Sequence, residues 1–147
     1  MNKKYKIGYT QGTFDMFHIG HLNLLNHAKE QCEYLIVGIN SDTLVEAYKN
    51  KTPIINAKER AEIVGNIKVV DCSIIVDTLD KVKIWNEIHF NAIFIGDDWK
   101  GNPRWIQTEQ DFLFKDVQVV YLKHTDGVSS TMLRKLRDVK MVEYKER

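Results

Sequence analysis

A chain of 147 residues with 44% hydrophobic and 28% charged residues has the length and composition of one globular domain. Its net charge of +1 does not favour nucleic acid or an anionic membrane as the main partner. The sequence contains no apolar run of about 18 residues, which a transmembrane helix needs, and its basic N-terminus lacks the apolar centre of a signal peptide. We therefore expect a cytoplasmic protein that binds neither nucleic acid nor membrane.

Apolar runs alternate with helical patterns along the chain. In chain order, the patterns predict a strand at residues 5–9, a helix at 22–32, a strand at 34–39, a helix ending near 48, a helix at 57–67, a strand at 72–76, a helix at 82–88, a strand at 92–96, a helix at 105–114, a strand at 117–122 and a closing helix at 129–136. The two cysteines, Cys32 and Cys72, form no zinc-type spacing and are expected to be buried thiols.

Strands that alternate with helices predict a parallel sheet with right-handed crossovers. The expected fold is a single α/β domain, Rossmann-like and doubly wound, with a five-stranded parallel sheet flanked by helices. We place this domain at residues 1–138 and treat residues 139–147 as a C-terminal tail.

The chemically unusual residues follow four of the predicted strands. They lie at residues 12–21, 41–42, 96–99 and 123–130. Because ligands of doubly wound folds bind beyond the carboxyl ends of the strands, these loops are expected to share one site.

The stretch Gly-Thr-Phe-Asp-Met-Phe-His-Ile-Gly-His at residues 12–21 leads from a strand into a helix, where backbone N–H groups favour anions. Gly20 has no Cβ and allows phosphate oxygens to approach the backbone. His18 and His21 lie three residues apart and are positioned to hold a phosphoryl group. A zinc site needs further ligands that no nearby cluster supplies. The plainer alternative is a helix start that happens to contain histidine.

This stretch resembles the H-x-G-H signature of the nucleotidyltransferase superfamily, and further segments are similar to its cytidylyltransferase family. Residues 34–42 resemble the second strand and turn of that family, Glu59-Arg60 its E/H-R helix, and residues 124–131 its R-T-E-G-I-S-T motif. The Gly-Asp-Asp-Trp-Lys-Gly segment at residues 96–101 is most similar to the glycerol-3-phosphate cytidylyltransferases. The resemblance runs from Tyr9 to Leu136.

The resemblance implies transfer of CMP from CTP to a phosphate-bearing acceptor, with release of pyrophosphate. It assigns catalytic roles to His18, His21, Lys49 and Lys51. It assigns nucleotide binding to Gly12, Thr13, Phe14, Asp15, Gly20, Arg60, Gly96, Asp97, Trp99, His124, Thr125, Asp126, Gly127, Ser129, Ser130 and Thr131.

Each assignment has a plainer alternative in the residues themselves. Lys49 and Lys51 also fit a solvated loop, and Arg60, which we expect to reach phosphate, also fits a helix surface. The hydroxyls at residues 129–131 also fit an ordinary helix cap. Trp99 fits packing over sugar or base and equally packing in the core or a lid.

Acidic residues do not identify a dedicated metal site. Asp15, Asp97 and Asp98 are the acidic members of the predicted site. We expect Mg²⁺ to arrive with the triphosphate, held largely by phosphates and waters.

Two positions and one segment depart from the family pattern. His124 stands where the family usually has arginine, which has a permanent charge and a bidentate fork. Lys68 stands where the glycerol-phosphate enzymes tend to have arginine, and the segment at residues 102–105 is longer.

The expected function is a cytidylyltransferase that makes CDP-glycerol from CTP and glycerol 3-phosphate, for a cell-surface polymer pathway. The alternatives are another alcohol phosphate or amino-alcohol phosphate as acceptor (phosphoethanolamine or phosphocholine), an adenylyltransferase that uses ATP, and an inactive nucleotide-binding module. The resemblance also implies a homodimer.

Overall fold

Five parallel strands form one sheet. The structure is a computed structural model, and it describes residues 3–125. The strands are β1 (Tyr5–Gly12), β2 (Cys32–Asn40), β3 (Cys72–Val76), β4 (Ala92–Gly96) and β5 (Gln118–Leu122), and their order in the sheet is β3-β2-β1-β4-β5. The helices are α1 (Ile19–Gln31), α2 (Asp42–Lys49), α3 (Ala57–Gly65), α4 (Lys81–Ile88) and α5 (Pro103–Phe112), and a 3-10 turn (Asp97–Trp99) follows β4. The predicted doubly wound α/β fold is confirmed.

Helices cover both faces of the sheet. On one face, α1 and α3 bury Leu25, Ala28 and Val64 against sheet residues such as Leu35 and Phe94. On the other face, α4 and α5 bury Ile84, Trp105 and Phe112 against Tyr9 and Ile93. The strands between these layers are apolar on both sides, as their continuous apolar sequences predict. The carboxyl edge of the sheet therefore opens between two walls, with the N-terminus of α1 on one and those of α4 and α5 on the other.

One predicted strand boundary was wrong. We expected β1 to end near Tyr9 at a Gln-Gly breaker, but it continues to Gly12 because Gln11 and Gly12 pair with Gly38 and Ile39 of β2. The Gln11 side chain is buried and hydrogen-bonded rather than exposed in a turn. Local propensity is overridden here by the neighbouring strand.

Polar caps start the helices at the carboxyl edge. The Ser41 hydroxyl accepts a hydrogen bond from the Leu44 amide, and the Asn56 side chain accepts one from the Glu59 amide. Asn102 caps α5 in the same way, and Pro103 occupies its first position, where no amide hydrogen is needed. These caps fix where each loop ends and its helix begins, and so help to define the loops of the site.

Three further findings complete the fold. Both cysteines are free thiols; Cys32 is buried, whereas Cys72 is half-buried. None of the helices within residues 3–125 combines the length and the apolar character that crossing a membrane requires. The predicted closing helix at residues 129–136 and the domain boundary at residue 138 lie outside the described residues.

Candidate functional site

The two histidines form a stacked pair at the start of α1. Their ring centroids are 3.8 Å apart and their planes differ by 25°. His18 is the N-cap: its Nδ1 accepts from the Gly20 amide at 3.1 Å. In return, the His18 amide donates to Nδ1 of His21 at 3.2 Å. This reciprocal pattern is a capping box built from imidazoles, and it fixes both rings relative to the helix.

The hydrogen bonds also determine which nitrogen carries the proton. Because Nδ1 of each ring accepts a backbone hydrogen bond, a neutral ring carries its proton on Nε2 and donates from there. Burial lowers the pKa of His18. Burial among the rings of Phe14 and Phe17, with a smaller contribution from His18, lowers the pKa of His21 to about 3, although the Asp15 charge acts in the opposite direction. Both rings are therefore neutral donors at pH 7.

Glycine at position 20 also has a structural role that the sequence did not reveal. A Cβ at Gly20 would lie 2.9 Å from Cε1 of His18, closer than real contacts allow. The glycine thus makes room first for the capping histidine, in addition to the predicted close approach of phosphate. Any larger residue would displace the stacked pair.

The loop before the histidines contains two strained residues. Phe14 and Met16 have φ values of 54° and 50°, in the left-handed region that favours glycine. Phe14 is nonetheless buried, and its ring packs edge-on against His21. Strain of this kind concentrates at functional sites, where the surrounding structure holds it in place.

Asp15 links the loop before the histidines to the segment that contains Ile54 and Ile55. Its carboxylate is 2% exposed and accepts hydrogen bonds from the amides of Ile54 and Ile55 at 2.8 and 2.9 Å. The segment that follows Lys49 and Lys51 is therefore held against the loop that precedes the two histidines. Asp15 thus positions this backbone, and the nucleotide contact that the resemblance implies stays a prediction.

The Arg60 side chain is 0% exposed, and its expected contact with a phosphate stays a prediction. Its guanidinium donates to the carbonyl oxygens of Thr13, Asn40 and Ile55 at 2.6 to 2.9 Å. It also forms an ion pair with Asp42 at 2.7 Å. Arg60 thus links the ends of β1 and β2 to the start of α3, and it stabilises the backbone of the candidate site from the protein interior.

A chain of buried polar side chains crosses the ends of β1 and β2, and sequence reasoning missed it. The Tyr9 hydroxyl donates to Gln11, whose amide donates to Asn40 at 2.9 Å; Asn40 in turn donates to the Tyr48 hydroxyl at 3.1 Å. Gly38 permits this chain, since a Cβ there would lie 2.0 Å from the Tyr9 hydroxyl oxygen. The available signal was polar residues at the last positions of otherwise apolar strands.

The two predicted catalytic lysines lie at the rim of the site. Lys49 ends α2, and its Nζ lies 5.5 Å from the centroid of the Tyr48 ring. The Tyr48 hydroxyl lies 3.2 Å from Thr13 Oγ1 in the loop before the histidines. Both Lys49 and Lys51 are exposed. Their charges are thus available to an anion at the carboxyl edge, and their catalytic role stays a prediction.

The loops after β4 and β5 meet at a second part of the site. Asp97 and His124 form an exposed pair with Oδ1 and Nδ1 2.5 Å apart, and the hydrogen bonds from His124 lower the pKa of Asp97. Asp98 lies close enough that one ligand atom from each of the three is within 4.8 Å of the others. Mg²⁺ prefers oxygen ligands, and these exposed groups do not change the expectation that it is held mainly by phosphates.

The segment after β5 also contacts α1, the helix that the two histidines begin. Asn23 of α1 donates to the Thr125 hydroxyl at 2.9 Å, which places the segment carrying His124 beside the start of α1. Trp99, 38% exposed, lies with its ring 5.2 Å from the Arg104 guanidinium, so its predicted contact with a nucleotide stays a prediction. The remaining predicted nucleotide-binding residues, Asp126, Gly127, Ser129, Ser130 and Thr131, lie outside the described residues.

A separate open groove of about 800 Å³ lies beside the start of β5. Its lining includes Lys6, Lys100 and Glu109 but none of the predicted site residues. The carboxyl edge, where the predicted residues converge, remains the candidate site.

Comparison with known proteins gives matches over most of the chain. A family model described as Cytidylyltransferase-like matches residues 9–136. The chain is 36% identical over 127 residues to a glycerol-3-phosphate cytidylyltransferase of Bacillus spizizenii, covering 86% of this chain and 92% of that protein. It is 31% identical over 132 residues to one of Staphylococcus aureus, covering 85% and 89%.

A similar solved structure is the lipopolysaccharide core biosynthesis protein from Thermoplasma volcanium. The TM-score is 0.72 at 26% identity, and the match covers 83% of this chain and 99% of that one.

Proposed function

The chain belongs to the cytidylyltransferase-like family and is a nucleotidyltransferase, and on that premise we propose that it transfers CMP from CTP to glycerol 3-phosphate. In this reaction an acceptor phosphate oxygen attacks the α-phosphorus of CTP. The bond from that phosphorus to the bridging oxygen breaks, and pyrophosphate leaves with the electron pair. CDP-glycerol is the second product.

The stacked neutral histidines are the observation that carries this proposal. His18 and His21 present two Nε2 donors from one helix start, and charge moves onto the bridging oxygen during the reaction. Preorganised donors of this kind stabilise the transition state without reorganising, and losing one commonly costs about 10²–10³ in rate. Neutral donors suit the free protein, and a bound triphosphate would favour their protonation.

The remaining charges support bringing two anions together. Lys49 and Lys51 are followed by a segment that is hydrogen-bonded to Asp15, in the loop before the histidines. The two lysine charges can compensate the negative charge of the acceptor phosphate, which is positioning rather than covalent catalysis. Mg²⁺ enters as part of the CTP substrate. The relatives named glycerol-3-phosphate cytidylyltransferase support the choice of acceptor.

The test is pyrophosphate release with CTP or ATP against a series of acceptor phosphates. We expect release only with CTP and a divalent ion, and most rapidly with glycerol 3-phosphate. Turnover with ATP but not CTP would refute cytidylyl transfer, and turnover with phosphoethanolamine or phosphocholine alone would change the acceptor. CTP binding without turnover on any acceptor would indicate an inactive binding module. The cytoplasmic location and the homodimer belong to this proposal as well.

A further inference from the structure

Tyr48 lies between two parts of the candidate site. Its side chain is half-buried and belongs to the last turn of α2. Its hydroxyl oxygen is 3.2 Å from Oγ1 of Thr13, in the loop before the histidines, and Nζ of Lys49 is 5.5 Å from the centroid of its ring. One side chain therefore contacts both the histidine side of the site and the first of the two lysines.

The orientation of the buried polar chain follows from one backbone carbonyl. A carbonyl oxygen can only accept, so the Gln11 side-chain atom that lies 2.9 Å from the Thr78 oxygen is its nitrogen. The same nitrogen donates to Oδ1 of Asn40 at 2.9 Å. Asn40 therefore turns its own NH₂ group toward the hydroxyls of Tyr48 and Thr13, at 3.1 and 3.4 Å.

These contacts leave one hydroxyl hydrogen over. Tyr48 and Thr13 each carry one hydrogen on their hydroxyl oxygen, and a single hydrogen bond joins the two oxygens. Neither hydroxyl donates to any other acceptor among the residues that the structure describes. Because a phenol is the stronger donor and an aliphatic hydroxyl the better acceptor, Tyr48 donates to Thr13, and the Thr13 hydrogen is the one left over.

The Thr13 hydroxyl is thereby restricted to donating toward a ligand. Its oxygen has two lone pairs, and these accept from Asn40 and from Tyr48. Thr13 is half-buried and directly follows Gly12, the last residue of β1, so its hydroxyl lies at the carboxyl edge of the sheet. A donor of this kind matches the oxygen atoms of an anion, and hydrogen bonds to charged acceptors are the stronger ones.

We propose that Tyr48 is a positioning residue for cytidylyl transfer, which directs the Thr13 O–H to a phosphate oxygen of CTP and holds the Lys49 ammonium beside it. This inference rests on the proposed function and on the nucleotide contact predicted for Thr13. The face of an aromatic ring attracts an ammonium group and so restricts the rotamers of the exposed lysine. Both donors are then in place before the triphosphate arrives, and CTP binding does not have to order them.

The test of the hydroxyl is a double-mutant cycle on the Kd of CTP with Mg²⁺, measured by titration calorimetry. Thr13→Val should raise Kd by about 10- to 100-fold, as expected for a lost hydrogen bond to a charged group, and Tyr48→Phe by about 3- to 10-fold. The double variant should bind CTP no more weakly than Thr13→Val alone, because the Tyr48 hydroxyl acts through Thr13. A purely structural role of Tyr48 would instead give effects that multiply.

The test of the ring compares Tyr48→Leu with Tyr48→Phe in pyrophosphate release. Tyr48→Leu also removes the aromatic face under Lys49, so its kcat/KM should be lower than that of Tyr48→Phe by a further factor of about 2 to 5. Tyr34→Phe is the matched control, because Tyr34 is 43% exposed in β2. It should change neither the Kd of CTP nor kcat/KM.

An unchanged Kd in Tyr48→Phe would overturn the inference, and so would effects of Tyr48→Phe and Thr13→Val that multiply in the double variant. Equal kcat/KM in Tyr48→Leu and Tyr48→Phe would remove the role of the ring. If wild-type protein binds CTP but transfers CMP to no acceptor, the proposed function fails, while the cycle on Kd still decides the role of the hydroxyl. Wild-type protein that does not bind CTP would overturn both.

Discussion

Replacing Arg60 with methionine removes a guanidinium while keeping a long apolar side chain in its place. In the folded protein this group is fully buried and donates to the carbonyl oxygens of Thr13, Asn40 and Ile55. It also pairs with Asp42, whose side chain is 39% exposed and is therefore partly hydrated. The substitution leaves three carbonyl groups and one carboxylate without the donor of their hydrogen bonds.

The size of the effect follows from these contacts. A buried acceptor left without its donor costs about 1–3 kcal/mol, and removing one partner of a buried ion pair costs about 3–5 kcal/mol. These contributions overlap, because relaxation and water can satisfy some of the groups. We expect Arg60→Met to lose about 3–5 kcal/mol of unfolding free energy, a large part of the stability of an ordinary domain.

Urea unfolding followed by circular dichroism measures this loss, with Lys58→Met, exposed on the same helix, as the control. The control should change the unfolding free energy by less than about 0.5 kcal/mol. If Arg60→Met instead unfolds like wild-type protein and raises KM for CTP tenfold or more, the guanidinium contacts the nucleotide, and the structural role argued here is wrong.

Three further predictions concern the histidines. His18→Ala and His21→Ala should each slow turnover by about 10²–10³ while the circular dichroism spectrum stays unchanged; near wild-type rates would remove their role in holding phosphate. Burial lowers the pKa of His21 to about 3, so between pH 6.5 and pH 3 the unfolded chain binds a proton that the folded chain does not, and stability falls as the pH drops through that window. The urea midpoint of His21→Gln should therefore fall less between pH 7 and pH 4.5 than that of wild-type protein, and an equal fall would contradict the neutral, buried ring. His124→Arg should lower KM for CTP, because arginine offers a permanent charge and a bidentate fork to phosphate; an unchanged KM would mean that these properties do not matter at this position.

The order of the elements could be predicted from the sequence because each strand has a continuous apolar run and each helix has polar caps. Cys72–Val76 and Ala92–Gly96 were predicted to the residue. The carboxyl-edge location of the site followed from the parallel topology alone. The extension of β1 to Gly12 could not be predicted, because it depends on pairing with β2 rather than on local preference.

The direction in which a side chain points was the least predictable property. Arg60 follows a capping residue on a polar helix, which is equally compatible with a surface position and with the buried position that the structure shows. The backbone amides that Asp15 binds are 39 and 40 residues away in sequence, a distance that local patterns do not bridge. The tautomers of the histidines depend on reciprocal caps that only the folded geometry reveals.

The most direct measurement of the central claim is a phosphorus NMR spectrum of the protein incubated with CTP, Mg²⁺ and glycerol 3-phosphate. Cytidylyl transfer predicts that the resonances of CTP and glycerol 3-phosphate decline together. In their place, the two coupled signals of an unsymmetrical diphosphate ester and the signal of pyrophosphate should grow in equal amounts. CDP with inorganic phosphate, CMP with pyrophosphate and unchanged glycerol 3-phosphate, or an unchanged spectrum would each contradict it.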